Sequence, residues 1–304
     1  MVCLGGQEES RQGSSPPEDF LEIRKGGVAA WVRKGFSFLV DEQGMWRADL
    51  VFCPRRGEAA YSGRGEVLRL SPGPMAGSCA VVRHYERGGL VRNLLRDFYF
   101  GRRRFFQEAR VSEWARAHGV PTAQVLAVRS ERTALCLHRG DLITREIEGS
   151  EDLDRYLKSV RRKERPGTTG RKEVIRSVAL LLQTMHRAGL YHADLNLKNI
   201  VVQVAESAVR SYVIDLDRAR VIRPLGSGRR IRNLARLYRS LDKQGYLGNV
   251  VGTRDLVEFV RTYCGEDRDL FRLCKEVMRK DAWLLRYHRA GWRISRGLRK
   301  MGHP

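Results

Sequence analysis

The stretch Gly189-Leu-Tyr-His-Ala-Asp-Leu-Asn-Leu-Lys-Asn199, followed closely by Tyr212-Val-Ile-Asp-Leu-Asp217, decides the fold of this chain. The spacing H-x-D-x-x-x-x-N places Asp194 and Asn199 on one loop. An apolar run then returns Asp215 to the same place. Each polar residue alone would be ordinary in a turn. Two carboxylates and an amide in this order are a rarer combination.

These residue types in this order are what phosphoryl transfer requires. One carboxylate orients the attacking hydroxyl and accepts its proton, and an amide with a second carboxylate holds Mg²⁺ on the nucleotide phosphates. Asp194 is therefore the candidate catalytic base, with His192 and Asn196 as further candidate catalytic residues. Asn199 and Asp215 are the candidate metal ligands. The pattern predicts a phosphotransferase that uses ATP and Mg²⁺.

The flanking sequence supplies the structural context that the motif needs. Apolar residues recur at helical spacing before the loop, at Val174, Ile175, Val178, Leu181, Leu182 and Met185, and Gly189 is placed to end that helix. Residues 200–204 and 210–214 read as two strands of a hairpin. A second helix over 231–241 has one apolar face and arginines around the rest, which either bind phosphate groups or face solvent.

The first half of the chain alternates short apolar runs with glycines and charged turns. The runs predict strands at 28–32, 36–40, 66–70, 79–85, 134–138 and 142–146. One helix is predicted over about 103–118, ending at Gly119. The fold class is therefore α+β: a protein-kinase-like, two-lobed fold whose N-terminal lobe is an antiparallel sheet with one helix and whose C-terminal lobe is mainly helical.

Several residues of the first half are candidates for nucleotide binding. Gly63 and Gly65 precede a strand and would let backbone N–H groups approach phosphates, although a plain turn explains them equally well. Arg83 lies on the strand where a kinase places a cation, in the position usually held by lysine. Glu108, on the helix, would pair with that cation, although alone it reads as a solvated helix charge.

A short connector divides the chain into domains. Backbone groups near Glu146 and Ile147 are the predicted hydrogen-bonding partners of adenine. We expect a disordered N-terminus over 1–20, a nucleotide-binding lobe over 21–147 and a helical catalytic lobe with a basic C-terminal segment over 148–304.

The charge balance indicates an anionic partner. The chain of 304 residues has 57 Lys and Arg against 35 Asp and Glu, a formal net charge of +22, which nucleotide alone does not explain. The segment 283–301 mixes aromatic residues with cations and has no acidic residue, a composition typical of binding to an anionic membrane surface. A basic arm for nucleic acid has similar statistics, but we expect the membrane. The cysteines form no C-x-x-C pair, so we expect a reducing compartment. No apolar stretch is long enough to span a bilayer.

Several segments together resemble the 3-deoxy-D-manno-octulosonic acid (Kdo) kinase family. They are Arg83–Leu90, Glu108, His192–Asn199, Ile214–Arg218 and Arg232–Leu241. The patterns R-H-Y-x-R-G-G-L and N-L-A-R-L-x-R-S-L are the most discriminating, and the resemblance runs from about residue 61 to 243. It implies a kinase-like fold, ATP with Mg²⁺, and phosphorylation of a sugar hydroxyl of Kdo on a lipid A precursor. That reaction would take place at the cytoplasmic face of the bacterial inner membrane.

The resemblance implies the same roles for the loop residues and pairs Arg83 with Glu108. Asp217 stands where a protein kinase has the glycine of D-F-G, and its role stays open at this point. Ala193 replaces the arginine of H-R-D. Two alternatives also stay open: an atypical protein kinase of the RIO-like or Bud32-like type, and a non-catalytic relative that binds anionic lipid.

Overall fold

A computed structural model describes residues 15–41, 65–69 (backbone only), 79–85, 98–163, 170–205, 208–277 and 279. The strands are β1 (Phe20–Lys25), β2 (Val28–Arg33), β3 (Gly65–Arg69), β4 (Cys79–His84), β5 (Tyr99–Phe100), β6 (Val125–Ala134), β7 (Leu137–Arg145), β8 (Ser150–Asp152), β9 (Leu190–Tyr191), β10 (Ile200–Val204), β11 (Val209–Val213) and β12 (Arg220–Val221). The helices are α1 (Arg103–Ala117), α2 (Leu153–Arg161), α3 (Arg171–Ala188), α4 (Ser227–Lys243) and α5 (Thr253–Cys264).

The first half forms an antiparallel sheet in the order β1-β2-β6-β7-β4-β3, with β5 added beside β7. Every residue of β2 is buried, because the strand is covered on both faces. One face packs on the turn around Leu39. The other packs on α1, where the rings of Trp31 and Phe106 lie 4.5 Å apart between centroids. Gly140 on β7 gives the Phe105 ring its space, since a Cβ there would lie 2.5 Å from the ring.

The second half is mainly helical. Its core joins α2, α3, α4 and α5 to the hairpin β10–β11, and the end of α1 packs into the same core. The predicted helix and hairpin before and after the catalytic loop are present as α3, β10 and β11. Gly189 ends α3 in a left-handed conformation with φ of 91°. A Cβ there would lie 2.7 Å from the carbonyl oxygen of Ile222, so glycine is required by conformation and by space.

The predicted α+β class is therefore confirmed, with an antiparallel sheet and one helix in the first half and a mainly helical second half, while two predicted strands are wrong. Residues 36–40 contain a 3₁₀ turn, Ser37–Leu39, because a short apolar run also fits a turn that buries its apolar side chains, here Phe36, Leu39 and Val40. Residues 134–138 contain the turn between β6 and β7, with Leu135 at φ of 22° and almost fully exposed. Of the predicted disordered N-terminus over 1–20, residues 1–14 lie outside the described residues. Its end is placed too late, since the N–H of Lys34 donates to the carbonyl of Asp19 and Phe20 begins β1 and is buried.

Candidate active site

His192 fastens the catalytic loop to the strand that precedes Asp215. It is completely buried. Its Nδ1 accepts from the N–H of Asp194 at 3.1 Å, and its Nε2 lies 3.1 Å from the carbonyl oxygen of Ile214. These bonds require a neutral ring with the proton on Nε2, and burial lowers the pKa of His192. Both nitrogens are used inside the protein, so His192 positions the loop, in contrast to the prediction that it is catalytic.

The carboxylate of Asp194 is exposed while its backbone is held in place. Its carbonyl oxygen accepts from Nδ2 of Asn196 at 3.0 Å and from Nδ2 of Asn199 at 2.8 Å. Oδ1 of Asn196 accepts from the N–H of Lys198 at 2.9 Å. Asn196 is thus engaged within the loop and shapes it, and a catalytic role for it stays a prediction. Asn199 is buried with its Nδ2 engaged, and its Oδ1 is the atom suited to a metal.

Two side chains of helix α4 make hydrogen bonds to the backbone of the same loop. Asn233 is completely buried. Its Nδ2 donates to the carbonyl of His192 at 2.7 Å, and its Oδ1 accepts from the N–H of His192 at 3.2 Å. Nε2 of His186 lies 3.1 Å from the same Oδ1. Arg236 donates to the carbonyl of Ala193, and to the hydroxyl of Tyr191 at 3.0 Å. Sequence reasoning gave Asn233 no role of its own, although a polar Asn on the inner side of an amphipathic helix is a signal for one. It offered Arg236 phosphate binding or a solvent-facing position and missed this contact with the loop.

Asp215 faces the cleft from the end of the hairpin. Its φ is 59°, a left-handed conformation that Asp tolerates better than most residues and that concentrates at functional sites. Arg83 forms ion pairs with both Asp215 and Glu108, and the hydroxyl of Tyr85 donates to Glu108 at 2.5 Å. Burial alone would lower the pKa of Arg83, but the charges of Glu108 and Asp215 raise it well above its ordinary value. The predicted pairing of strand cation and helix carboxylate is present.

Asp217 is bound to the start of α1. Nε of Arg104 donates to one carboxylate oxygen of Asp217 at 2.8 Å, and Nη2 contacts the other. This two-point pairing fits the fork of a guanidinium to a carboxylate. It ties α1 to the segment that follows Asp215, beside the Arg83–Glu108 pair. The role that the sequence left open is therefore filled by a structural ion pair.

The structure supports some of the remaining predicted nucleotide contacts and not others. Gly63 lies outside the described residues. Gly65 begins β3 directly opposite Arg83 in the strand register, so its backbone lies near the predicted phosphate site. The N–H of Glu146 donates to the carbonyl of Cys79 at 2.9 Å, which removes it as a donor to adenine. The carbonyl of Ile147 accepts from Ser150. Adenine binding at this turn stays a prediction.

The donor set suits Mg²⁺ bound together with phosphates. Within the described ranges, no group of three or more His, Cys, Asp or Glu side chains is arranged to hold a metal by itself. Mg²⁺ at nucleotide sites takes one or two protein oxygens and completes its octahedron with phosphates and water. Asn199 Oδ1 and the Asp215 carboxylate are hard oxygen donors of that kind.

Residues 68–263 match the model of the Lipopolysaccharide kinase (Kdo/WaaP) family. The chain belongs to this family. It is 30% identical over 186 residues to a 3-deoxy-D-manno-octulosonic acid kinase of Actinobacillus succinogenes, covering 60% of this chain and 73% of that protein. A protein of the same name from Pasteurella multocida matches with the same identity and coverage.

A solved structure titled "WaaP in complex with acyl carrier protein" superposes with a TM-score of 0.48 and 22% identity, covering 81% of this chain and 88% of that one. Family membership makes the protein a kinase, a phosphotransferase with an alcohol group as acceptor. Membership of this family favours the interpretation of the protein as a lipopolysaccharide sugar kinase over that of a RIO-like or Bud32-like protein kinase. Across the part of this kinase that the structure describes, no helix is both long and apolar enough to cross a membrane.

Proposed function

We propose that the kinase transfers the terminal phosphoryl group of ATP to a hydroxyl of Kdo on a lipid A precursor. The observation that carries this proposal is the exposed Asp194 carboxylate, which stands on a loop that His192 joins by hydrogen bonds to the residue before Asp215, the partner of Arg83. The names of the matching relatives, which are Kdo kinases, support the choice of acceptor. The two lobes, 21–147 and 148–304, would enclose the nucleotide.

Each residue has a separate part in this mechanism. Asp194 accepts the proton of the acceptor hydroxyl and orients its oxygen for attack. Asn199 and Asp215 would hold Mg²⁺, and Arg83, kept in place by Glu108, would contact the phosphates. Mg-ATP, when bound, supplies the transferable group and charge neutralisation at the phosphates. Gly63 and Gly65 would cover the phosphates with backbone N–H groups, and Glu146 and Ile147 would lie at the adenine.

The geometry of the loop explains why positioning matters here. Phosphoryl transfer involves little covalent chemistry by the protein, so alignment and electrostatics supply most of the rate. Asp194 and Asp215 are joined through His192, which bonds to the backbone of both segments. A shift of one backbone segment relative to the other would therefore require breaking a buried hydrogen bond.

The test is transfer of ³²P from labelled ATP with Mg²⁺ to a Kdo-bearing lipid A precursor, with Kdo-free lipid A and a generic protein as parallel acceptors. We expect label on the Kdo lipid alone. Asp194→Asn should lower kcat by about 10²–10⁴-fold, the usual contribution of a general base. Label on protein only would support the RIO-like or Bud32-like alternative. Binding of lipid with no transfer to any acceptor would support the non-catalytic one.

We also propose that the protein acts as a peripheral protein at the cytoplasmic face of the inner membrane. The segment 283–301, which lies outside the described residues, carries the basic and aromatic composition that supports this. Reversing the charge at Arg293, Arg296 and Arg299 should release the protein from vesicles containing anionic lipid, measured by sedimentation. Unchanged binding to such vesicles would rule out this role of the segment.

A further inference from the structure

A cavity with six arginines among its lining residues lies beside the catalytic loop. Its volume is about 750 Å³, within the range of roughly 300–1,000 Å³ that is typical of small-molecule sites. It is bounded by α1, by the segment that follows Asp215 and by the first turns of α4. The lining arginines are Arg103, Arg104, Arg218, Arg220, Arg229 and Arg232. We call this site the arginine cavity.

The charge of the arginine cavity is largely uncompensated. Among its described lining residues Glu108 is the one carboxylate, and it is already paired with Arg83. Arg104 is paired with Asp217. No carboxylate of the described residues pairs with the other five arginines. Like charges concentrated in a concave site raise a strong positive potential and repel one another until an anion enters.

The arginine cavity adjoins the group that would receive the acceptor proton. Tyr191 and Ala193 line it, and Ala193 directly precedes the exposed Asp194 in the chain. Leu216, which directly follows Asp215, lines another part. If the anionic group of a ligand lies among the arginines, the uncharged part of that ligand would therefore be within reach of the catalytic loop. Arg83, a predicted phosphate contact, is not among the described residues that line the cavity.

We propose that the arginine cavity binds an oxyanionic group of the acceptor, a sugar carboxylate or a phosphate on the glycolipid, and thereby presents the reacting hydroxyl to Asp194. This inference rests on the proposed function and adds the site that recognises the acceptor. Guanidinium groups bind carboxylate and phosphate through paired N–H donors, and several in one cavity select an anion over a neutral sugar. Positive potential at the mouth would also speed the encounter with an anionic glycolipid.

The test uses two exposed lining residues and a matched control. Arg220→Gln with Arg229→Gln removes two charges from the arginine cavity, and Arg254→Gln removes one exposed charge on α5, which does not line it. The probes are Kdo, glucose 1-phosphate and glucose, with binding measured by calorimetry. We expect both charged sugars to bind and glucose not to. The double variant should bind the charged sugars at least about tenfold more weakly, since the loss of even one hydrogen bond to a charged group lowers affinity by about tenfold. The control should bind them as the unchanged protein does.

The two charged probes separate the possible anions, because the tighter one identifies carboxylate or phosphate as the preferred group. Three results would overturn the proposal: equal binding of glucose, unchanged binding by the double variant, or simple competition between the sugars and ATP. If the double variant does not fold, as judged by urea unfolding, Arg103→Gln on α1 provides the same comparison.

Activity measurements separate this inference from the proposed function. Weakened acceptor binding in the double variant without transfer by the unchanged protein would refute the proposed function and leave the arginine cavity as an anion site. Normal transfer with an unchanged acceptor KM in the double variant would refute the role of the cavity and leave the proposed function standing. If the proposed function and the role of the arginine cavity are both correct, the acceptor KM of the double variant should rise while its KM for ATP stays constant.

Discussion

Replacing Asn233 by alanine should weaken both the fold and the catalytic loop. The side chain makes two hydrogen bonds to the backbone of His192 and one to the ring of His186, in a site with no solvent exposure. Each bond left unmade in a buried site costs about 1 kcal/mol or more. The change from Asn to Ala favours the helix by roughly 0.5 kcal/mol. The free energy of unfolding should therefore fall by about 2–4 kcal/mol.

The measurement is urea unfolding followed by circular dichroism, together with kcat in the phosphoryl-transfer assay. Arg239→Ala, an exposed position on the same helix, controls for the effect of alanine on α4. In the folded Asn233→Ala protein we expect kcat to fall while the KM for ATP changes little, because the loop that carries Asp194 loses its anchor. If Asn233→Ala and Arg239→Ala unfold at the same urea concentration and have equal kcat, the anchoring argument is refuted.

Three further predictions follow from single contacts. Gly140→Ala should destabilise the fold by about 1–3 kcal/mol through overpacking against Phe105, which a thermal melt would detect; an unchanged melting temperature would contradict this. Arg83→Lys should reduce kcat/KM for ATP by about 10–100-fold, because a point charge does not bridge two carboxylates and misplacement is costly; full activity would show that the bridge is dispensable. Burial lowers the pKa of His186 to about 4. As the pH is lowered, the unfolded chain therefore takes up a proton on this residue before the folded protein does. The free energy of unfolding should fall by about 1.4 kcal/mol for each pH unit of acidification between pH 6.5 and 4. Urea unfolding across this range should show the slope, and His186→Gln should reduce it.

Local pattern predicted the elements around the catalytic loop well. The apolar spacing of α3, the glycine that ends it and the hairpin that returns Asp215 all depend on residues close together in the chain. The pairing of Arg83 with Glu108 was also predicted, from the catalytic-loop motif taken together with the strand and the helix before it, and the family resemblance implies it as well. The same method misplaced strands at 36–40 and 134–138, because short apolar runs fit turns and strands equally.

The part of each polar residue depended on contacts that no local pattern contains. His192 and Asn196 have the residue types of catalytic groups, but the structure uses their side chains inside the protein. A neutral, buried imidazole bonded at both nitrogens holds a loop and is not in a position to exchange protons with substrate. For His192, burial was therefore the deciding quantity, and it is a property of the packed fold. Asn196 is only partly buried, and its hydrogen bonds within the loop define its part.

The sequence by itself determined the kind of protein: an α+β kinase-like chain with a catalytic loop, a second carboxylate and a strongly basic surface. These features follow from residue type and short spacing, which the covalent chain sets directly. The tertiary structure alone decided which distant residues meet. Arg104 and Asp217 are 113 positions apart and form an ion pair, and Asn233 is 41 positions from the loop that it anchors. Arginines from α1, α4 and the segment between them share one cavity for the same reason, because core packing brings separate elements to the same side of the active site.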